Sequence, residues 1–248
     1  MERRALAILA SVLVLSGCTA TQESTVIVSN PTETVAPLRA NLYKAPEHME
    51  RLVSFAKSIS YDVVCGDGGG SGWGVKYTDK DGTYEYIVTN QHVIEECLGG
   101  QEITVWSNYD QFKAEVVIAD HRDSSFDEDI SAQDLALLKP IDFSLVTTSD
   151  LAFHYPLGSW VMIAGFPSVN QFGSIIITTG IISSEQTLNG FTTTAAINPG
   201  SSGSLVMNSR GQVIGIAYSG YQEIKMNDHG FFLPMMRLSE LFSELAKK

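Results

Sequence analysis

The chain has 248 residues, 44% of them hydrophobic and 18% charged. That composition argues against a wholly disordered chain, and the length suits one large all-β domain or two small lobes. Sixteen Lys and Arg stand against 28 Asp and Glu, a formal net charge of −12, which makes the chain a poor candidate for gripping a phosphate backbone and sets nucleic acid aside as a partner.

The N-terminus carries an address. Arg3 and Arg4 precede an almost purely apolar run from Ala5 to Leu15. A spanning helix needs about 20 apolar residues, so this run is too short to cross a membrane and stay. It fits the hydrophobic region of a secretory signal over residues 1–17. Leu15-Ser16-Gly17-Cys18 resembles the bacterial lipoprotein box, which implies that Cys18 is lipidated and the preceding peptide removed. Thr19, rather than Asp, resembles sorting to the outer membrane, facing the periplasm, if the cell is Gram-negative. Acyl chains hold a protein to a bilayer at roughly 0.8 kcal/mol per buried methylene, so the membrane contact would be lipid. Residues 18–46 are rich in Thr, Ser, Pro and Asn around a short Val26-Ile27-Val28 cluster and read as a flexible tether.

The body, 47–248, reads as mostly β. A short amphipathic helix is expected over 48–56, with Met49, Leu52, Val53 and Ala56 on one side. Strand-like runs follow at 61–64, 72–77, 84–89, 102–106, 112–118 and 135–138. A second set lies at 160–164, 174–177, 190–194, 212–218 and 230–233. Asp81-Gly82, Asn189-Gly190 and Arg210-Gly211 supply turn signals. Many short strands at this spacing suggest a sandwich or barrels. A final helix is expected over 236–245, with Leu238, Leu241, Phe242 and Leu245 at helical spacing.

Three segments carry chemistry. Thr89-Asn90-Gln91-His92-Val93-Ile94 places a His just after a strand. Asp134-Leu135-Ala136-Leu137-Leu138-Lys139 opens an apolar strand with an Asp. Asn198-Pro199-Gly200-Ser201-Ser202-Gly203-Ser204 sets a Ser in a Gly-containing turn before a new strand. Each alone reads equally as a turn or surface residue. Together they supply what acyl transfer requires: Ser202 as nucleophile, His92 as base and Asp134 to hold the base in the right tautomer. The amides of Gly200 and Ser202 would hold the oxyanion, Gly200 adopting a backbone conformation that turns its N–H toward the site. An α/β-hydrolase would run Ser, acid, His and carry Gly two residues after the Ser; here that position is Ser204.

The order His, Asp, Ser and the surrounding motifs resemble the trypsin-like, chymotrypsin-fold serine proteases, especially the bacterial HtrA-like branch. Gly70-Ser71-Gly72-Trp73-Gly74-Val75, Ile87 to Val93, Gly165-Phe166-Pro167 and Thr178 to Ser183 carry the resemblance, from about Arg51 to the C-terminus. It implies an all-β fold of two perpendicular six-stranded β-barrels with a short N-terminal and a C-terminal helix. It further implies a serine endopeptidase acting on protein or peptide substrates without a cofactor or metal. A His/Cys cluster with zinc spacing is also lacking. The family's usual Gly-Asn-Ser-Gly-Gly becomes Gly200-Ser201-Ser202-Gly203-Ser204. That departure motivates an alternative, a non-catalytic peptide-binding or chaperone-like module on the same fold; a third reading is an esterase sharing the triad.

Members of this family often have a disulfide near the catalytic His. Cys65 and Cys97 flank His92, and an exported protein can oxidise them; two free thiols are the alternative. The acidic stretch 123–129 lacks the Gly-centred spacing of a calcium loop and reads as solvated. His48, His121, His154 and His229 have no context comparable to that of His92. By the resemblance, Ala196 and Ala217 fall at the specificity pocket, where relatives that select charged residues carry an Asp or a His. The pocket is therefore expected to be uncharged, with cleavage after small or medium apolar residues. A peptide-library cleavage profile checks this, and a profile dominated by charged residues at the cleaved position contradicts it.

Overall fold

The computed structural model describes residues 42–107, 110–122, 133–145, 148–167, 173–184, 190–218 and 230–247. The expected signal segment, Cys18, the tether through residue 41, the acidic stretch 123–129 and His229 lie outside the described residues. Strands β1 (Ser60–Cys65), β2 (Gly68–Thr78), β3 (Thr83–Thr89), β4 (Ile103–Trp106), β5 (Gln111–Arg122) and β6 (Gln133–Ile141) close into a barrel. Its order is β1-β2-β3-β6-β5-β4. Strands β7 (Trp160–Gly165), β8 (Ile176–Ile181), β9 (Phe191–Thr193), β10 (Leu205–Asn208), β11 (Val213–Tyr218) and β12 (Gly230–Pro234) form a second six-stranded sheet, β8-β7-β10-β11-β12-β9. This sheet curls until its two edges meet: Ile182 bridges Thr193, and the Thr194 N–H donates to the Ile181 carbonyl at 3.1 Å.

Both faces of the central strands are apolar, and that pattern sets the packing. Side chains alternate across a strand. Ala136 and Leu138 of β6 join Tyr61, Val63, Ile87, Ile103 and Val105 inside the barrel. Leu135 and Leu137, one residue out of phase, join Trp73, Met162, Ala164, Leu205 and Ile216 in a cluster shared with the second sheet. Val161, Ile163, Val206, Ile214 and Phe232 fill the curl of that sheet. Each such side chain contributes about 1.5–3 kcal/mol on burial. A strand buried on two sides loses its polar alternation, which is why 135–138 reads as an unbroken apolar run.

Helices α1 (Met49–Ile59) and α2 (Met235–Leu245) seal the shared cluster. Helix α1 buries Leu52, Ala56 and Ile59, one stripe at helical spacing, and runs three residues beyond the expected end. Helix α2 starts directly after Pro234, a residue favoured at helix starts because it gives up no needed N–H. It buries Leu238, Leu241 and Phe242, and Phe242 stacks on Tyr77 of β2 with ring centroids 4.5 Å apart. Ahead of α1, Leu42 is buried and its carbonyl accepts the Trp160 N–H at 2.7 Å. Strands β2, β5 and β6 run up to four residues past the expected 72–77, 112–118 and 135–138, and two further strands depart in other ways. Strand β8 lies at Ile176–Ile181, not 174–177, because backbone pairing with β7 carries it through the polar Thr178, Thr179 and Gly180. Strand β10 was expected only as whatever follows the Ser202 turn, and it occupies the centre of its sheet.

Cys65, at the end of β1, and Cys97, at the end of a 3-10 turn over Gln91–Cys97, form a disulfide with Cα atoms 5.9 Å apart. In the chain-entropy account, closing a loop of this size is worth about 3–4 kcal/mol. The bridge fastens the far end of the turn that carries His92 to the barrel wall.

Candidate active site

The register between β3 and β6 brings the His and the Asp together. Thr89 pairs with Ala136, so the residues that follow Thr89 come level with Asp134, two places earlier on β6. Asn90 is fully buried, and its side-chain amide donates to the Asp134 carbonyl at 2.7 Å. Asp134 is 3% exposed, and a carboxylate that far from water needs hydrogen-bond donors. It has two from one residue. The His92 backbone N–H donates to Oδ1 at 2.9 Å, and the His92 ring Nδ1 lies 2.5 Å from Oδ2. A proton shared there makes Nε2 the basic edge of the imidazole.

Ser202 arrives from the second sheet through two successive turns. The Ser201 N–H donates to the Asn198 carbonyl at 2.8 Å, closing a turn with Pro199 second and Gly200 third. Gly200 has φ +84, the conformation that a type II turn demands at that place and that glycine adopts at low cost. Such a turn faces its middle N–H, that of Gly200, outward. The Ser204 N–H then donates to the Ser201 carbonyl at 2.9 Å, which leaves Ser202 at the tip of the second turn. The Ser201 side chain braces the pair by accepting the Asn198 N–H at 3.1 Å.

Two independent contacts bracket His92 and Ser202 from either side. On the second sheet, the Gly203 N–H donates to the Ala217 carbonyl at 3.1 Å, and the next residue, Tyr218, sets its ring edge-on to the His92 imidazole, centroids 5.6 Å apart. On the barrel, the Ser71 N–H donates to the Ser202 carbonyl at 2.7 Å. A β-carbon on the adjacent Gly70 would sit 2.8 Å from that same carbonyl oxygen and 2.8 Å from Val93, the neighbour of His92. The residues flanking the imidazole and those flanking the hydroxyl thus share neighbours on both halves of the molecule. The His92 side chain is 33% exposed, and Ser202 is 2% exposed.

The two positions expected at the specificity pocket differ in exposure. Ala196 is exposed, and its carbonyl accepts the Thr178 hydroxyl at 2.9 Å. Ala217 is fully buried in the curl of the second sheet. Ile197 packs against Gly230, where a β-carbon would overlap its Cδ1 and force it to shift. Tyr218 ends the expected strand 212–218; an aromatic at the end of a strand is its only signal in the sequence. His48 is exposed beside Glu50. A cavity beside α1, bounded by His48, Arg51, Phe55, Asp150, Arg210 and Gln212, contains none of the expected site residues. Among the described residues no group of three or more His, Cys, Asp or Glu could hold a metal ion.

The comparisons with known proteins agree with this geometry. The family described as "Trypsin-like peptidase domain" matches residues 70–216, more than half of the chain and all three expected catalytic positions. The chain is 30% identical over 195 residues to a protein named "Serine protease Do-like HtrA" of Bacillus subtilis, covering 72% of this chain and 40% of that protein. It is 33% identical over 196 residues to a protein of the same name from Lactobacillus helveticus, covering 71% and 43%. The chain therefore spans less than half the length of these curated relatives. Among solved structures, a serine endoprotease from Yersinia pestis superposes with a TM-score of 0.62 at 25% identity, over 83% of this chain and 69% of that one.

One titration near the site is displaced. Asp62 of β1 lies opposite Ser71 in register and points out of the barrel, and burial pushes its carboxyl up to about 6 from 3.8. The folded protein thus holds a proton on Asp62 that the unfolded chain has lost, and stability falls as pH rises between those two values. Asp62→Asn is expected to stabilise the protein at pH about 7.5, by on the order of 1 kcal/mol after allowing for the partial exposure of the group, and to change little at pH about 3.5. Denaturant melts across that range check this; equal loss of stability at both ends contradicts it.

Proposed function

We propose that this chain, which belongs to the trypsin-like peptidase family, is a serine endopeptidase that hydrolyses peptide bonds with His92, Asp134 and Ser202. The observation that carries the reading is the double hold of Asp134 on His92, in a place whose neighbours are also the neighbours of Ser202. Ser202 Oγ attacks the peptide carbonyl carbon while His92 Nε2 takes the hydroxyl proton. The C–O bond forms and the carbonyl oxygen becomes an oxyanion, held by the N–H groups of Gly200 and Ser202. His92 returns the proton to the departing amine as the C–N bond breaks, and water then releases the acyl group by the same steps in reverse. Asp134 keeps the proton on Nδ1 and stabilises the imidazolium that forms.

The same reading places the enzyme outside the cytoplasm. Residues 1–17 serve as its signal, Cys18 is the acylated residue, and the segment through residue 46 is the tether; the basic start, the short apolar run and the Leu-Ser-Gly-Cys ending support this. No helix among the described residues is long and apolar enough to cross a membrane. The substrates are proteins or peptides laid across the cleft where His92 meets the second sheet.

Ser202→Ala is expected to lower kcat by at least about 10⁴-fold, and Asp134→Asn by a comparable factor through the wrong imidazole tautomer. Both variants should keep the melting temperature within a few degrees. Hydrolysis of a casein or peptide-library substrate checks this. Folded Ser202→Ala protein with near-wild-type hydrolysis overturns the assignment and leaves the non-catalytic peptide-binding module as the better account.

A further inference from the structure

Ser71 uses every polar atom it has, and three of its hydrogen bonds reach outside its own barrel. It is fully buried in β2. Its N–H donates to the Ser202 carbonyl at 2.7 Å. Its hydroxyl donates to the Gly200 carbonyl at 3.0 Å and accepts the Phe166 N–H, from the end of β7, at 2.8 Å. Its own carbonyl accepts the Thr89 hydroxyl at 2.7 Å, three residues before His92. One residue of the first barrel therefore holds the Gly200 carbonyl with its hydroxyl and the Ser202 carbonyl with its backbone N–H, and the Gly200–Ser201 peptide so held joins the two peptides whose N–H groups the oxyanion needs. In the sequence Ser71 stands out only as a member of the strand motif Gly70 to Val75.

We propose that Ser71 is a positioning residue for the oxyanion hole: its hydroxyl locks the Gly200 carbonyl and thereby fixes the turn that aims the Gly200 N–H. The inference rests on the proposed endopeptidase reading. The turn at Gly200 has φ +84, a conformation that competes with a flip of the Pro199–Gly200 peptide, which would turn the N–H away from the oxyanion. That flip turns about Gly200 and tilts the Gly200–Ser201 peptide that follows; a hydrogen bond from a buried donor to the carbonyl of that following peptide opposes the tilt, because a carbonyl left unpaired away from water is costly. The donor is itself oriented by the Phe166 N–H, which occupies one lone pair of the hydroxyl and so favours pointing its proton toward Gly200. Thr89 anchors the Ser71 backbone to the strand leading to His92, so the base and the oxyanion donors are referenced to one residue.

A neighbouring hydroxyl provides the control. Ser204 is as buried as Ser71 and crowds the same space over Gly165, yet its hydroxyl has no hydrogen-bond partner among the described residues. Ser71→Ala and Ser204→Ala each remove one buried oxygen from the same cluster, and only the first breaks hydrogen bonds.

Direct removal of an oxyanion donor costs about 10²–10³ in kcat, so an indirect hold should cost less. Ser71→Ala is expected to lower kcat about 10–100-fold with KM within about twofold, and to weaken a peptide aldehyde, a tetrahedral-state mimic, by a similar factor. Binding of uncleaved peptide to the Ser202→Ala protein, with and without Ser71→Ala, should stay the same. Ser204→Ala should keep kcat within about threefold. All proteins are assayed well below their melting temperatures. If Ser71→Ala does not fold, Ser71→Gly, which asks less of the space beside Gly165, carries the same comparison. A folded Ser71 variant with wild-type kcat, or equal losses in the Ser71 and Ser204 variants, overturns the inference. Inactive wild-type protein instead overturns the endopeptidase reading itself.

Discussion

The Asp134 carboxylate and His92 are joined at two points, and the rest of the site is arranged around that pair. One oxygen takes the ring proton and the other takes the backbone N–H of the same residue. A single bond would let the imidazole swivel; two fix both the position of the turn and the plane of the ring. The arrangement is possible because Asp134 is buried at the start of β6, level with the end of β3. A buried charge without donors would be expensive, so the burial of Asp134 enforces the geometry of His92. The Cys65–Cys97 bridge secures the other end of the same turn.

The second half of the site depends on how closely the two halves approach. The shared cluster around Trp73, Leu137, Met162 and Leu205 pulls the barrel against the second sheet. At its edge, main chain meets main chain: the Ser71 N–H reaches the Ser202 carbonyl directly. The glycines at 70 and 165 mark where a side chain has no space. Hydrophobic burial supplies the force, which is non-directional; the hydrogen bonds of Ser71 to Ser202, Gly200 and Phe166 convert it into a fixed register between the halves.

Much of this is legible in the residues. The order of His92, Asp134 and Ser202 and the motifs around them point to the family, and the family comparison bears that out. Apolar periodicity places both helices and most strands to within a few residues. The misses share a cause. Strand β8 is held by pairing with β7, not by its own composition, since Thr178, Thr179 and Gly180 carry no strand pattern beyond β-propensity. Strand β10 is four residues long and is hidden behind the two turns at Ser202. Tyr218 and Ser71 were visible as letters but not as contacts. Their partners, His92 and Gly200, lie more than a hundred residues away in the chain, and no local pattern encodes that distance. The pairing of Cys65 with Cys97 was likewise implied by family resemblance and left open by the sequence itself.

The central claim is that Ser202, His92 and Asp134 act as one unit on a carbonyl carbon. The most direct test is to react the folded protein with a fluorophosphonate, map the modified residue by mass spectrometry and solve the structure of the adduct. The account predicts a single phosphonyl group on Ser202 Oγ, one phosphonyl oxygen within hydrogen-bond distance of the Gly200 and Ser202 amides, and His92 Nε2 facing the ester oxygen. A modification at another residue, or none in a protein that cleaves peptides, contradicts it.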